Sequence, residues 1–282
     1  MGNRLREGRA VVALPGKLTI AILPQTPHGP GLARAAHQAG KEVMLHAPMS
    51  NLAGTYPGQG GLTAEQSEAD FRATLAEAID DLPHVMGVNN HMGSELTQRR
   101  RQMAWVMDTL REKGLYFIDS RTSALTVAAE VAAAYGVPHL SRKVFIDNSR
   151  EPVAIDDSFR RLLDDVERTG LAVGIGHPYP ETIAYLRGIL PRLPCRGIRL
   201  ALVSEVLRDQ KNQIGRALSP EGPVLAAAST ASEPHLDAPL SHIGLGFGHR
   251  VFAEVEYAGG EHRVGTTEEN TLHEVFQVTD TP

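Results

Sequence analysis

Short apolar runs alternate with longer amphipathic runs along the chain as far as about residue 208. Nearly continuous apolar runs of this length predict strands that are covered on both faces, as in a parallel sheet. Seven runs fit this pattern, at residues 18–23, 42–46, 85–90, 115–119, 143–147, 171–177 and 198–203. Because helix-like runs lie between them, the chain predicts an α/β fold with right-handed crossovers.

Local signals mark the ends of four helix candidates. The run at 63–82 begins at Thr63 with Gln66 three positions later, the pattern of a capping box. Two other runs stop at Gly114 and Gly170, since glycine commonly ends a helix. The run at 180–191 starts and stops with proline. No G-x-G-x-x-G motif follows the first strand and no P-loop is present, so an open sheet or a barrel without a nucleotide site is expected.

The alternation of strands and helices stops after about residue 208. Residues 208–242 are rich in Pro, Ser and Ala, which is typical of a linker or a disordered segment. Residues 251–265 fit a small hairpin that turns at Gly259-Gly260, and an isolated hairpin is only marginally stable. We therefore predict a β/α unit over residues 1–208 and a poorly ordered C-terminal extension over 209–282 that the core does not need.

Composition narrows the classes of partner. Hydrophobic residues make up 42% and charged residues 22% of the chain, as in soluble globular proteins. The net charge is -5 and no basic stripe is interleaved with aromatic residues, so no nucleic-acid partner is expected. The single cysteine, Cys195, excludes an intrachain disulfide and a cysteine metal cluster. No apolar run approaches the ~20 residues of a membrane span, and the first residues lack the apolar segment of a signal peptide.

Polar side chains stand at the carboxyl ends of five predicted strands. They are His46, Asn89, Asn90, His91, Asp119, Arg121, Asp147, Asn148 and His177. Because the carboxyl ends of parallel strands meet at one rim, we expect the three histidines and two aspartates to cluster there. Each alone has an ordinary structural explanation; Asp147, for example, suits the N-cap of the following helix. Their joint occurrence on independent strands indicates a functional site.

Imidazole nitrogens together with a carboxylate are the usual ligands of a catalytic zinc ion, which keeps one position open for water. Such an ion lowers the pKa of its water to about 7 and polarises a carbonyl oxygen. A further histidine near neutrality then suits a general acid. A serine triad is disfavoured because the chain has no G-x-S-x-G motif.

Six segments in the order of one known family carry a resemblance. They read LPGKLTIAILPQTPH, GKEVMLHAPM, GVNNHMGS, FIDSRT, VFIDN and IGHPYPETI. Over residues 2–207 the chain resembles the divergent polysaccharide deacetylases, distant relatives of carbohydrate esterase family 4. The resemblance implies a distorted β/α barrel, a metal-dependent deacetylase-like site that uses a divalent ion such as zinc, and an envelope or periplasmic location.

The resemblance also implies a role for each of six residues. His46 and His91 match metal ligands, Asp119 matches an acidic catalytic residue, His177 matches the late histidine that acts as acid, and Asn90 and Arg121 would bind substrate. Ordinary esterases of the related family carry a second histidine in the first ligand segment, which here reads HAPMSN. We expect the ring nitrogens of His46 and His91 to lie within roughly 3–5 Å, since two zinc–nitrogen bonds of about 2 Å share one ion.

In the family, a strand that ends in paired aspartates precedes the first helix. Here Met1-Gly2 leads directly into a helix-like run, so we expect a barrel that lacks this first strand and one metal ligand. Asp119 or Asp147 would then have to supply the carboxylate. An unpaired sheet edge beside residues 18–23 would favour aggregation. This reasoning predicts weak metal binding, little activity and poor solubility.

Three functions remain open from the sequence. The first is metal-dependent removal of an acetyl group from a glycan or a small acetylated substrate. The second is a non-catalytic glycan-binding protein that kept the barrel and lost the chemistry. The third is metal-dependent hydrolysis of another ester or amide. Metal content separates the first two, because a binding protein need not retain zinc.

Overall fold

The computed structural model describes residues 1–217 and 249–255. Eight helices are described: α1 Leu5–Val12, α2 Gly29–Gln38, α3 Glu68–Asp80, α4 Arg100–Lys113, α5 Ala128–Ala134, α6 Pro152–Thr169, α7 Pro180–Ile189 and α8 Val203–Ala217. The described strands are β1 Thr19–Ile22, β2 Glu42–Met49, β3 Val85–Met92, β4 Tyr116–Asp119, β5 His139–Ser141, β6 Val144–Phe145, β7 Leu171–Gly176, β8 Ile198–Leu200 and β9 His249–Val255. Two short 3-10 helices occupy Leu96–Gln98 and Leu190–Arg196.

The strands form one sheet in the order β5-β4-β3-β2-β1-β9-β7-β6, and β8 pairs with β9. Each described strand pair is parallel. Parallel neighbours require crossovers, and helices supply most of them, as the alternating sequence pattern predicts.

The two ends of the sheet meet within a single stretch of chain. β5 pairs with β4, and the Arg142 backbone NH still donates to Asp119 in β4. At the next residue the partner changes, because the Lys143 NH donates to Val173 in β7, and β6 continues that pairing. The ladder therefore does not close, although the chain joins its ends. The predicted distorted β/α barrel is confirmed.

Two apolar layers lie on the two faces of the strands. Side chains such as Leu45 and Phe117 face the helices and join the larger cluster. Their neighbours Met44 and Ile118 belong to a smaller cluster inside the barrel, which also receives Val206 from α8. Burial on both faces explains why the strands read as nearly continuous apolar runs.

Helix α8 closes the amino end of the barrel through a buried carboxylate. Glu42 Oε1 accepts hydrogen bonds from Thr19 Oγ1 at 3.0 Å, from the Tyr116 hydroxyl at 2.8 Å and from the Ser204 NH at 3.2 Å. Three donors offset the cost of burying the charge. The opposite, carboxyl rim is left for the polar strand ends.

The helix ends were predicted with mixed success. Helices α4 and α6 end at Gly114 and Gly170, which are left-handed with φ of 69° and 76°. Helix α3, however, begins at Glu68 and not near Thr63. Ser67 caps it by accepting from the Asp70 NH, while Gln66 accepts from the Thr63 NH in the preceding turn. The expected capping bond thus forms without starting the helix.

The structure differs from the expected boundary at residue 208. Helix α8 runs across that position, and β9 lies in the sheet between β1 and β7. These residues therefore belong to the barrel, because β9 completes ladders on two neighbours that local sequence does not reveal. The short strand β5 was also missed. Residues 218–248 and 256–282, including the proposed turn at Gly259-Gly260, lie outside the described residues.

The sequence predicts that the edge of β1 is unpaired, but the structure shows it paired. β9 pairs with Thr19 and Ile20. Farther along, the Met1 amino group donates to the Ala21 carbonyl and the Met1 carbonyl accepts from the Leu23 NH, both at 2.8 Å. The predicted unpaired edge is therefore wrong, and the expectation of poor solubility loses that basis.

Candidate functional site

His46, Asn89 and His91 project into the mouth of the barrel at its carboxyl rim. In the ladder between β2 and β3, His46 pairs with Asn89 and Pro48 with His91. Because side chains two apart on a strand share a face, Asn89 and His91 point the same way and Asn90 points the other way. Two neighbouring strands thus place both histidines on one inner surface.

The two imidazole rings touch through their nitrogens. His91 Nδ1 lies 3.0 Å from His46 Nε2, and the rings meet at 67°. His46 Nδ1 lies 2.9 Å from Asn89 Oδ1, and Asn89 Nδ2 donates to Ser120 Oγ at 3.1 Å. Since an amide oxygen only accepts, this network assigns the His46 proton to Nδ1 and leaves Nε2 as the acceptor from His91. The distance lies within the range expected from the sequence.

Both histidines are kept neutral. Burial, followed by the neighbouring His91, lowers the pKa of His46 well below its usual value. Burial, followed by the positive charge at the chain's amino terminus, lowers the pKa of His91 to about 3. The charge of a protonated His177 would act in the same direction at both rings. Neutral imidazole is the form that binds a metal ion.

A second pair joins His177 to Asp147. Asp147 Oδ1 lies 2.8 Å from His177 Nδ1, while Oδ2 accepts from the His177 backbone NH at 2.6 Å and from Thr182 Oγ1 at 2.7 Å. The carboxylate is fully buried and the His177 side chain is 19% exposed. Asp147 therefore orients a partly accessible imidazole, which is the arrangement of a general acid or base and its positioning carboxylate.

Asp119 is not brought together with the histidines. Tyr116 and Ile118 of β4 belong to the inner cluster, so Asp119 lies on the alternate face. Its Oδ1 accepts from the Arg121 NH at 2.8 Å and its Oδ2 accepts from Thr126 Oγ1 at 3.1 Å. Burial raises the pKa of this carboxyl above its usual value. The predicted catalytic role of Asp119 gains no support from this geometry.

The two residues predicted to bind substrate differ in exposure. Asn90 is buried on the outer face of β3, where Oδ1 accepts from the Ser120 NH and Nδ2 donates to the Met92 carbonyl. Arg121 is exposed at the rim, and its carbonyl accepts from the Arg142 side chain. Only Arg121 is therefore placed where a ligand can reach its side chain.

Three non-glycine residues at the carboxyl rim have a left-handed backbone. They are Gln25 with φ of 51°, Met92 with φ of 53° and Arg121 with φ of 49°. Such a conformation costs about 1–3 kcal/mol per residue and is found at sites where other contacts enforce it. Hydrogen bonds do so here: Asp81 Oδ2 accepts from the Gln25 NH and Asp119 Oδ1 from the Arg121 NH. The turns that shape the rim are thus held against local preference.

The sequence predicts site roles for Asn90 and Asp119, whereas it indicates Asn89 only as a polar strand end and Asp147 only as an alternative source of a carboxylate. The signal for Asn89 was available, because a residue two positions before His91 on a strand shares its face. The signal for Asp147 was weaker, since a helix cap explained it equally well from the sequence. Its contact with His177 spans 30 residues and depends on the neighbouring positions of β6 and β7.

Over the described residues, no group of three or more His, Cys, Asp or Glu side chains is arranged to hold a metal ion. Two imidazole nitrogens are therefore the donors that this part of the chain offers at the site. In the same part of the chain, no helix has both the length and the apolar character required to cross a bilayer.

Comparison with known proteins identifies relatives. The chain is 35% identical to Escherichia coli K12 YibQ over 208 residues, which cover 74% of this chain and 65% of YibQ. It is 31% identical over 245 residues to an uncharacterized protein of Haemophilus influenzae, covering 87% of this chain and 85% of that protein. The crystal structure of an uncharacterized Agrobacterium tumefaciens C58 protein shares the fold, with a TM-score of 0.71 and 22% identity over 73% of this chain and 85% of that one.

The family described as divergent polysaccharide deacetylase matches residues 1–207, from the turn before α1 to the first residues of α8. This span contains the His46–His91 pair, the His177–Asp147 pair and each polar strand end named in the sequence analysis. On the strength of this match and of its relatives, the chain belongs to the divergent polysaccharide deacetylase family.

Proposed function

We propose that the protein is a metal-dependent hydrolase that removes an acetyl group from a glycan. The observation that carries this proposal is the contact of two buried, neutral imidazoles at 3.0 Å in the mouth of the barrel. The pair of His177 and Asp147, at the carboxyl end of β7 on the same rim, supplies a group suited to proton transfer. Family membership supports the same reaction class.

The donor pair suits a zinc ion. His46 Nε2 and His91 Nδ1 would hold it, because two bonds of about 2 Å to one ion place the ligand nitrogens about 3 Å apart. The proton on His91 Nδ1 must leave when that nitrogen becomes a ligand. Asn89 would keep the His46 ring oriented through Nδ1, as partners of ligating histidines commonly do. When bound, the ion would polarise the acyl carbonyl and make a water more acidic.

His177 is proposed to act as the general acid. Its Nδ1 faces Asp147, so its other nitrogen is the one directed away from the buried carboxylate. Proton donation to the leaving sugar nitrogen or oxygen would create a neutral amine or hydroxyl. Asp147 would stabilise the protonated ring and hold its orientation before the transfer.

A second candidate is a glycan-binding protein without catalysis. The observation that favours it is the donor count, since a catalytic zinc ion has three protein ligands and the described residues place two. A site with two protein ligands binds zinc more weakly, so the experiment has to include added metal.

The test measures zinc content and acetate release by the full chain, with and without added zinc, on acetylated oligosaccharides. We expect zinc to bind and acetate to be released. His91→Ala should lose both, whereas His177→Ala should keep zinc and lose acetate release. Glycan binding without acetate release would support the second candidate. Cleavage of simple esters but not of acetylated glycans would instead indicate a hydrolase of another class.

A further inference from the structure

Asn90 is a buried residue whose side chain joins two strand ends. Its Nδ2 donates to the Met92 carbonyl at 2.7 Å, and its Oδ1 accepts from the Ser120 NH at 2.9 Å. Its side chain is fully buried on the outer face of β3. Both ends of the amide are therefore used to hold backbone, at the end of β3 and just beyond β4.

The first of these contacts controls the turn after His91. Met92 follows His91 directly and adopts φ of 53°, in the left-handed region. Its carbonyl accepts from Asn90 Nδ2 and also from Thr122 Oγ1 at 2.8 Å. Because a carbonyl oxygen has two lone pairs, the two donors fix the plane of this peptide. The direction of the His91 ring depends on the backbone that these bonds hold.

The second contact leads to His46. The Ser120 backbone is bound by Asn90, and Ser120 Oγ accepts from Asn89 Nδ2 at 3.1 Å. Asn89 Oδ1 in turn lies 2.9 Å from His46 Nδ1 and determines which nitrogen of that ring carries the proton. A shift of Ser120 would therefore loosen the bond that orients His46.

We propose that Asn90 and Thr122 are positioning residues that set the His91 ring direction and the His46 tautomer for metal binding. This inference rests on the proposed function and assigns Asn90 a role behind the site, where the sequence had suggested a role in substrate binding. Loss of a direct hydrogen-bonding partner of a ligating histidine typically lowers metal affinity by about 10- to 100-fold. Asn90 and Thr122 act one bond farther out, so the lower end of this range is expected.

Two threonines provide a matched test. Thr122→Val and Thr109→Val each remove a buried hydroxyl that donates to a backbone carbonyl, that of Met92 at 2.8 Å and that of Trp105 at 2.9 Å. Thr109 lies in α4 and serves as the control. Zinc titration of the full chain against a chromogenic chelator should show about 10-fold weaker binding for Thr122→Val and Asn90→Ala. Thr109→Val should stay within about two-fold of the parent, as expected for a distant site.

A second measurement does not depend on metal. Nitrogen-15 NMR shifts of the histidine rings in the metal-free chain should show the His46 proton on Nδ1 in the parent and in Thr109→Val. Asn90→Ala and Thr122→Val should show mixed tautomers. Unchanged tautomers and unchanged zinc affinity in folded Thr122→Val would overturn the proposal, even if Asn90→Ala fails to fold. A parent chain that binds no zinc would refute the proposed function, while the nitrogen shifts still decide the positioning role.

Discussion

Neighbouring side chains at the rim point to opposite faces of the strands, and this separates their chemistry. Asn89 faces the barrel mouth and binds His46, whereas Asn90 faces outward and binds backbone. Likewise Asp119 is directed to backbone and Thr126, while Asp147 reaches His177. Residue type alone does not distinguish the members of these pairs, because the face of the strand decides which partner is within reach.

Asp147→Asn tests the positioning of His177. The amide keeps the shape of the carboxylate but removes the charge that stabilises a protonated ring, so kcat for acetate release should fall by roughly 10²- to 10⁴-fold. Zinc affinity should be retained, because Asp147 is bonded to His177 and Thr182 and not to the His46–His91 pair. Steady-state kinetics and zinc titration measure the two effects. An unchanged kcat would show that His177 does not act through Asp147.

The ends of helices show what a local signal can achieve at the scale of an element. Gly170 ends α6 with φ of 76° and lies in open space, so its conformation and not its surroundings demands glycine. Gly188 lies within α7, where an added methyl group meets nothing within 4 Å. The same substitution should therefore have opposite effects at the two positions.

Gly170→Ala should destabilise the fold by about 1 kcal/mol, because alanine is strained in the left-handed region. Gly188→Ala should stabilise it by about 0.5–1 kcal/mol, because alanine loses less backbone entropy in a helix. Urea unfolding of the two variants and the parent measures both changes. Equal effects of the same sign would contradict the backbone conformations described for these residues.

The sheet of the barrel is assembled, at the scale of the whole molecule, from segments far apart in the chain. β9 pairs with β1, β7 and β8, and thereby links strands from the start and the end of the matched family region. Residues 139–145 join the remaining ends of the sheet by changing partner between β4 and β7. The barrel therefore needs chain on both sides of residue 208.

A chain that ends after Ala217 should be less stable than the full chain, in contrast to the expectation from the sequence. Removing β9 leaves ladder groups of β1 and β7 unpaired. We expect the Tm to fall by more than about 5 °C, since each kcal/mol shifts the Tm of a domain of this size by about 2–4 °C. A chain that ends after Val255 keeps β9 and is the control. Equal Tm values for all three chains would show that β9 does not stabilise the barrel.

The sequence by itself determined the α/β alternation, the positions of β1 to β4 and of β6 to β8, the glycine ends of α4 and α6, and the placement of histidines at the carboxyl ends of strands. These features follow from local periodicity, backbone preference and the rule that parallel strands share a direction.

Only the tertiary structure decided that β9 enters the sheet, that β5 and β6 change partner, and that Asn89 and Asp147 are the residues that contact His46 and His177. Each of these outcomes depends on contacts between residues far apart in the chain, such as Ile20 with Val255 and Asp147 with His177. Pairing of this kind is set by register and packing across the whole barrel, which no local pattern of apolar and polar residues encodes.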